Sequence, residues 1–335
     1  MDLNILDVKP HQVSRDMRGY SVFLYGEPKS GKTTIATRFP KHLLLAFEKG
    51  YNAIPGAMAI PINSWSDFRK VLKQLKDTAA KEKYETIIVD TADIAYELCS
   101  KYICSLNDVS AIGDIPYGKG YALVAQEFDS CLRSILQMDF GLVIISHDND
   151  KTFKDESGNE FNKIVPTLDK RANNIVARMC DIIGYARVFT KEDGSSVTRL
   201  FMRGTPRFEA GSRFKYTPDY IEFGYSQLVN AIGEAIDKEA AEAGEELFTS
   251  ERQNTYSEPE KNIDFDDLMT QFNKIINNLI EKETDEKMST YWQPRITQIT
   301  DKYLGVGNKV GNLTRNQVEA LELIVDDLKE LIGEG

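Results

Sequence analysis

Short apolar segments alternate with amphipathic segments through residues 1–236, and this alternation predicts a mostly parallel β-sheet with helices on both faces. The segments with helical periodicity are clearest over residues 65–83 and 119–138. We therefore expect an α/β fold. The apolar runs of strand length are YSVFLYG (20–26), HLLLAFE (42–48), AMAIPI (57–62), ETIIVD (85–90) and GLVIISH (141–147).

Two paired-strand segments and a closing helix are predicted to complete this core. TFKDESGNEFNKIV (152–165) has alternating runs on either side of a Ser-Gly-Asn turn, which is typical of a β-hairpin. CDIIGYARVFTKEDGSSVTRLFMRG (180–204) contains two apolar runs that turn at Asp193-Gly194. SQLVNAIGEAI (226–236) has helical spacing. The predicted core covers residues 19–236, after an N-terminal extension over residues 1–18.

The remainder of the chain differs in its pattern. Residues 237–262 are acidic and poor in apolar side chains, which predicts a flexible linker whose first part extends the preceding helix. Residues 263–335 contain two amphipathic stretches, the second preceded by a Thr314–Gln317 capping pattern, and predict a small helical domain. The apolar stripe of the first stretch comprises Phe265, Leu268, Met269, Phe272, Ile275, Ile276 and Leu279.

Charge is distributed unevenly along the chain. The formal net charge is −11, but residues 1–236 are neutral and residues 237–267 carry −8. Residues 151–215 have a local excess of +5. This excess is compatible with a surface that faces a polyanion, although an excess this diluted is more often an ordinary solvated face. The net acidity alone therefore does not exclude nucleic acid as a partner.

Composition excludes several other classes. Four cysteines without CxxC pairing and only three histidines argue against a zinc site or a disulfide framework. The chain has no apolar stretch of membrane-spanning length, and its start lacks the pattern of a signal peptide. We expect a soluble, cytoplasmic protein with buried free thiols and no membrane partner.

The segment LYGEPKSGKTT (24–34) matches the P-loop pattern, with a strand before it and a helix after it. Glycines allow successive backbone N–H groups to face a phosphate, and Lys32 is placed to neutralise the β and γ oxygens. The hydroxyl of Thr33 is a ligand for Mg²⁺. The residues predicted to bind the nucleotide phosphates are Gly26, Glu27, Pro28, Lys29, Ser30, Gly31, Lys32, Thr33 and Thr34.

Acidic residues follow two of the predicted strands. Asp90 closes TIIVD and is the candidate carboxylate for Mg²⁺, although a helix N-cap is the alternative role. Glu48 ends the strand after the P-loop helix and is the candidate that orients the attacking water. Asp93 is a rival for that function, and Glu48 has the alternative role of an exposed strand-end carboxylate.

His147 ends the strand LVIISH and is a candidate sensor of the γ-phosphate, with a purely structural role as the alternative. The chain has no guanine-reading NKxD motif, which favours ATP over GTP. ATP and Mg²⁺ are the predicted cofactors.

The order of these motifs resembles phage-encoded RecA-like P-loop ATPases, and more narrowly the Sak-type single-strand-annealing recombinases and related phage "AAA" proteins. The resemblance rests on the P-loop, LLLAFEKG, TIIVD, YGKGY, a strand ending in SH, and GSRFKYTP, and it covers residues 18–236. It departs from RecA at Ser146-His147, and it excludes the acidic linker and the helical tail.

The resemblance implies a RecA-like ATPase core, Glu48 as the catalytic glutamate, and single-stranded DNA as the ligand. It implies DNA-facing loops at residues 113–121 and 149–165. Arg213 is implied as an arginine finger that reaches a neighbouring copy, with a solvated surface role of equal weight. The residues in the two loops with suitable side chains are Tyr117, Lys119, Tyr121, Lys151, Lys154 and Lys163.

The leading hypothesis is therefore an ATP-hydrolysing protein that binds or anneals single-stranded DNA in phage recombination or replication. A helicase loader or protein-remodelling ATPase and a non-hydrolysing nucleotide switch are the alternatives. RecA-like cores commonly act as homo-oligomers. The acidic tail is expected to screen the DNA site or to recruit a partner such as a single-strand-binding protein.

Overall fold

The computed structural model describes Leu6 and residues 8–154, 157–252 and 264–333, and the chain divides into two compact units at Ser257/Glu258. None of the helices within these ranges is long and apolar enough to cross a membrane. The strands are β1 (Val13–Ser14), β2 (Ser21–Gly26), β3 (His42–Ala46), β4 (Ala59–Pro61), β5 (Thr86–Asp90), β6 (Gly141–Lys154), β7 (Glu160–Pro166), β8 (Ile182–Thr190), β9 (Ser196–Phe201), β10 (Gly211–Ser212), β11 (Tyr220–Glu222) and β12 (Phe248–Thr249).

Helices cover both faces of the resulting sheet in the first unit and form the whole of the second. The α-helices are α1 (Lys32–Ala36), α2 (Trp65–Gln74), α3 (Thr78–Lys83), α4 (Ala92–Leu106), α5 (Lys119–Gln137), α6 (Lys170–Met179), α7 (Tyr225–Ala243), α8 (Phe265–Lys282), α9 (Asp285–Lys287), α10 (Gln293–Leu304) and α11 (Val318–Ile332). A π-helix occupies Met288–Trp292, and short 3₁₀ turns include Ile112–Asp114 and Pro116–Gly118.

The central sheet has the strand order β11–β9–β8–β2–β6–β5–β3–β4. Strands β8, β2, β6, β5, β3 and β4 are mutually parallel, and β9 and β11 continue the sheet antiparallel. In this register Gly26 lies beside His147, and Asp90 lies beside Ile145. The carboxyl ends of β2, β6, β5 and β3 therefore form one rim, the carboxyl edge. The predicted α/β class is confirmed.

Strands β2, β5 and the first half of β6 are buried on both faces, which explains their continuous apolar sequences. One face packs on α2, α4, α5 and α6 through residues such as Phe23 and Phe128. The other packs on α1 and α7 through residues such as Leu24 and Ile232. Both faces are thus closed to water, and chemistry is confined to the rim of the sheet.

The first predicted hairpin is confirmed and is longer than expected. Strand β6 runs through the sheet and beyond it, and pairs with β7 from Asp148↔Pro166 to Lys154↔Glu160. The second hairpin is formed by β8 and β9, whose ladder runs from Tyr185↔Phe201 to Thr190↔Ser196. Both hairpins project past the carboxyl edge.

Helix α1 is short: it ends at Ala36, and the N–H groups of Arg38 and Phe39 that follow donate to carbonyl oxygens three residues back. One predicted helix is divided in the structure. The helix expected over 65–83 is two helices, since Asp77 caps the second one and interrupts the first.

The predicted linker over 237–262 is structured in its first half. Helix α7 continues to Ala243, and Phe248 is buried where β12 pairs in parallel with β1. Ion pairs from Arg15 to Asp237 and Glu245 accompany this pairing. Buried Ala240 and Phe248, with Leu247 packed beside them, thus hold this acidic stretch against the core. Residues 253–263 lie outside the described residues.

The second unit is a helical bundle, as predicted. Leu268, Ile275 and Leu279 of α8 are buried against Leu321 and Leu328 of α11. The backbone N–H of Thr314 donates to the Gln317 side chain 3.1 Å away, which confirms the capping pattern before α11.

Candidate functional site

The loop between β2 and α1 has the backbone conformation that its glycines allow. Gly26 has φ +153° and Gly31 has φ +94°, while Lys29 is left-handed at φ +65°. A Cβ on Gly26 would lie 2.2 Å from the carbonyl oxygen of Ala186 on the adjacent strand, so only glycine fits there. The P-loop strand is therefore packed tightly on β8 at the point where the loop begins.

Lys32 is held inside this loop. Its side chain is buried, and its Nζ donates to the carbonyl oxygens of Gly26 and Glu27, each 2.7 Å away. Burial lowers the pKa of the Lys32 ammonium, while Asp148 and Asp90 oppose the shift. The ammonium thus lies in the cradle where a bound phosphate oxygen would replace the two carbonyls.

Thr33 and Asp90 lie together at the carboxyl edge. The Thr33 hydroxyl donates to Asp90 Oδ2 at 2.7 Å. Asp90 is buried, and burial raises the pKa of its carboxyl, while the hydrogen bond from Thr33 opposes the shift. One hydroxyl and one carboxylate are the hard oxygen ligands that Mg²⁺ takes when phosphates and water complete its shell. The donor set therefore fits Mg²⁺ with a nucleotide.

The described residues include no group of three or more His, Cys, Asp or Glu side chains that would hold a metal ion.

Glu48 is fixed to the same edge by its backbone. The N–H groups of Phe47 and Glu48 both donate to the carbonyl oxygen of Asp90, at 2.8 and 3.1 Å. The Glu48 carboxylate then contacts His147, with 3.2 Å between Oε2 and Nε2. Both side chains remain partly exposed, at 46% for Glu48 and 31% for His147. The structure thus brings together four sequence-predicted residues: Thr33, Asp90, Glu48 and His147.

Asp93, the rival for orienting water, has other partners. Its Oδ1 accepts from Thr167 at 2.6 Å and from Ser146 at 3.2 Å. These contacts tie the start of α4 to the end of the β6 strand in the sheet. This arrangement favours Glu48 over Asp93, because Glu48 is the more exposed side chain and has no hydroxyl partner.

Sequence reasoning missed Asp148, which follows His147 at the point where β6 leaves the sheet. Burial raises the pKa of the Asp148 carboxyl, Glu27 adds to the shift, and Lys32 opposes it. Asp148 is therefore an electrostatic neighbour of the P-loop lysine. The sequence feature that could have identified Asp148 is its position directly after the apolar run that ends in Ser146-His147.

The six residues predicted to meet DNA occupy varied surroundings. Tyr117 is 97% exposed at a left-handed position, φ +58°, and Lys119 begins α5. The Arg171 guanidinium lies 4.5 Å from the centroid of the Tyr121 ring. On the β6–β7 hairpin Lys151 and Lys163 are opposite each other.

Two of the hairpin lysines already have ion-pair partners. Lys163 pairs with Glu209 at 2.9 Å, and the exposed Lys154 pairs with Glu160 at 3.5 Å. Phe153, which sequence reasoning missed, is exposed and stands opposite Phe161. The hairpin thus carries lysines and aromatic rings side by side, together with carboxylates such as Asp150 and Glu160.

Arg213 does not belong to this rim. It pairs with Asp181 at 3.2 Å and donates to the carbonyl oxygen of Arg178 at 2.7 Å. Asp181 accepts from the Ser21 N–H at the amino end of β2, the opposite end of the strand from Gly26. The antiparallel pairing of β10 with β8 carries Arg213 to that end. Arg213 therefore does not join the catalytic residues of its own chain, and its role as an arginine finger toward a neighbouring copy stays a prediction.

Comparisons with known proteins give three similarities. A family model described as "AAA domain" matches residues 18–214. The SPbeta prophage-derived uncharacterized protein YorG of Bacillus subtilis (strain 168) is 34% identical over 340 residues, which cover 100% of both chains. The crystal structure of the flagellar accessory protein FlaH from Methanocaldococcus jannaschii aligns with a TM-score of 0.32 and 13% identity, over 62% of this chain and 85% of that one.

Proposed function

Because this chain belongs to the AAA domain family, we propose that it is an ATPase that binds ATP with Mg²⁺ at the carboxyl edge and hydrolyses it. One observation carries the proposal: Thr33, Asp90, Glu48 and His147 come from four separate segments and meet at the rim beside the P-loop. A holder of nucleotide needs only the P-loop and the aspartate, whereas a hydrolase also needs a group for the attacking water.

Each of these residues has a different role in the proposed binding and hydrolysis of ATP. Lys32 exchanges its two carbonyl partners for phosphate oxygens, and Thr33 with Asp90 would hold Mg²⁺, which neutralises phosphate charge when bound. Glu48, with its backbone fixed to Asp90, accepts a proton from water or orients it. His147 holds the Glu48 carboxylate at the rim.

We further propose that single-stranded DNA is the ligand coupled to this ATPase. Tyr117 offers a nearly fully exposed ring, and the β6–β7 hairpin carries opposed lysines beside an exposed Phe153. Cations next to exposed rings are the surface that single strands require, since phosphates meet the cations and bases stack on the rings. The β6–β7 hairpin is a direct extension of the strand that ends in His147, which links it to the nucleotide site.

The prophage-derived relative supports a phage origin for this chain. Within that setting we propose a role in phage recombination or replication, with annealing or coating of single strands as the activity. Homo-oligomerisation and a protein partner for the second unit, such as a single-strand-binding protein, belong to the same proposal.

The test is ATP turnover measured with Mg²⁺ in the presence and absence of single-stranded DNA, together with DNA affinity with and without ATP. We expect DNA to stimulate turnover and ATP to strengthen DNA binding. Turnover without any DNA binding would point to a loader or remodelling ATPase. Nucleotide binding without turnover would point to a switch.

A further inference from the structure

The β8–β9 hairpin carries two arginines that face each other. Arg187 and Arg199 are register partners on the antiparallel ladder. Like charges directly opposite each other destabilise a sheet. Among the described residues neither arginine has a carboxylate within ion-pair distance, although Glu222 is the register partner of Arg199 on β11. We call Arg187 and Arg199 the arginine pair.

Aromatic rings rather than carboxylates hold these guanidinium groups. Arg187 lies 5.4 Å and Arg199 lies 5.2 Å from the centroid of the Phe189 ring. Arg199 also lies 4.5 Å from the centroid of the Tyr220 ring, which is 47% exposed. Stacking leaves the N–H donors of a guanidinium free at its edges, so the pair is oriented but not neutralised.

The position of the pair ties it to the nucleotide site. Ala186 is the register partner of Gly26, the first glycine of the P-loop, and Arg187 is the next residue along β8. The contact at Gly26 leaves no room for even a Cβ. The backbones of the P-loop strand and of the base of this hairpin are therefore closely packed. The β8–β9 hairpin therefore starts at the carboxyl edge and projects beyond it.

From these observations we propose that the arginine pair, with Phe189 and Tyr220, is a second binding surface for single-stranded DNA, distinct from residues 113–121 and the β6–β7 hairpin. Two guanidinium groups suit one backbone phosphate, and an exposed ring beside them suits a base. The surface lies on an open sheet rather than in an enclosed pocket, which fits a polymer that lies across it. A bound phosphate also removes the like-charge repulsion between the two arginines.

This inference rests on the proposed function, and fluorescence anisotropy with a labelled oligothymidine at several salt concentrations tests it. We expect Arg187→Ala and Arg199→Ala each to weaken binding roughly tenfold. Replacing both arginines should reduce the slope of log affinity against log salt by about 0.7, which is the signature of one lost phosphate contact on a single strand. Tyr220→Ala should weaken binding without changing the slope.

The matched control is Arg295→Ala, which removes an arginine that also stacks on a ring, at 3.7 Å from the centroid of Tyr291 in the second unit. It should leave both affinity and slope unchanged. Arg187→Lys keeps the charge but loses the planar fork, so it should retain the salt slope while affinity falls. The thermal unfolding midpoint of each variant checks that the hairpin still folds.

Three outcomes overturn the proposal. If both arginine variants bind DNA with unchanged affinity and Tyr117→Ala loses binding, the arginine pair is not a DNA-binding surface and the proposed function stands. If the unaltered protein binds no DNA, both the arginine-pair surface and the proposed DNA-binding function are excluded. Unchanged DNA affinity with a loss of turnover that depends on protein concentration would instead assign the arginine pair to the nucleotide of a neighbouring copy.

Discussion

Lys32 is held inside the P-loop, since its ammonium donates to the carbonyl oxygens of Gly26 and Glu27. We predict that Lys32→Ala reduces ATP turnover by on the order of a thousandfold, because a buried charge that neutralises phosphate oxygens is lost. Turnover at saturating ATP and binding of a fluorescent ATP analogue measure this. An exposed cation outside the loop provides the control: Lys70→Ala should behave like the unaltered protein.

Glu48 and Asp93 offer a direct contrast between two carboxylates near the rim. We predict that Glu48→Gln retains ATP binding and loses turnover by roughly a hundredfold to ten-thousandfold, since the amide does not accept a proton. Asp93→Asn should chiefly lower stability, because its carboxylate accepts from Thr167 and Ser146. Normal turnover in the glutamine variant, with none in the asparagine variant, would transfer the catalytic role to Asp93.

The ionised Asp90 carboxylate lowers the stability of the folded protein, and it is the group proposed to bind Mg²⁺. Burial raises the pKa of its carboxyl, so the folded protein favours the protonated form, and that contribution to stability is lost as the pH rises through the raised pKa. We predict that Asp90→Asn stabilises the nucleotide-free protein by on the order of 1 kcal/mol at pH 8, and that it abolishes the Mg²⁺ dependence of ATP binding. Thermal unfolding followed from pH 8 downward should show the gain shrinking as Asp90 in the unaltered protein becomes protonated. A gain that grows at low pH would contradict this account.

At the scale of elements, the tight contact between β2 and β8 sets the geometry of the P-loop. A Cβ at Gly26 meets backbone atoms of Ala186, which are unable to move aside as a flexible side chain would. We predict that Gly26→Ala destabilises the protein by more than about 2 kcal/mol and distorts the loop. Gly211→Ala, at a strand glycine with open space around it, should change the unfolding midpoint little.

Sequence patterns predicted the elements that are buried on both faces and failed where a local cap decides the outcome. The apolar runs of β2, β5 and β6 have few alternatives to central strands, so they were identified as strands. The break at Asp77 depends on a single side-chain hydrogen bond, which competes with an equally plausible continuing helix.

The candidate site shows the same contrast between residues that strong sequence patterns identify and residues whose placement depends on local pairing. Lys32, Thr33, Asp90 and Glu48 follow from a motif or from strand ends. The proposed role of Arg213 concerns a neighbouring copy and stays a prediction, because within its own chain the two-residue strand β10 carries it to the end of the sheet opposite the P-loop. The arginine pair was missed because cross-strand register depends on the length of the turn between β8 and β9, which a turn located at Asp193-Gly194 does not fix.

For the whole molecule, the boundary between the two units lies later than composition indicated, since α7 and β12 belong to the first unit. We predict that a chain ending at Ser257 folds cooperatively and retains turnover, because the buried Phe248 and the β1–β12 pairing are kept. A chain ending at Ile236 loses these contacts and should unfold at a lower temperature. Differential scanning calorimetry of the two truncations separates the boundaries.

The same truncation at Ser257 tests the role of the second unit. We expect its removal to alter affinity for single-stranded DNA or capture of a single-strand-binding protein, because it removes a net acidic segment from a chain whose core is proposed to bind a polyanion. Identical results in both measurements would leave the second unit without the role we assign to it.

The pairing of β1 with β12 gives the molecule a route for mechanical load. The chain that leaves β12 toward the second unit is bonded sideways to the segment that leads into β2, and β2 ends at the P-loop. Tension applied to the tail by any partner is therefore borne by the strand that leads into the phosphate loop before it reaches the rest of the core. Force applied through a tag fused ahead of Val13 acts on the same pair of strands from the other side. The end chosen for surface attachment in a single-molecule experiment therefore decides which part of the protein unfolds first.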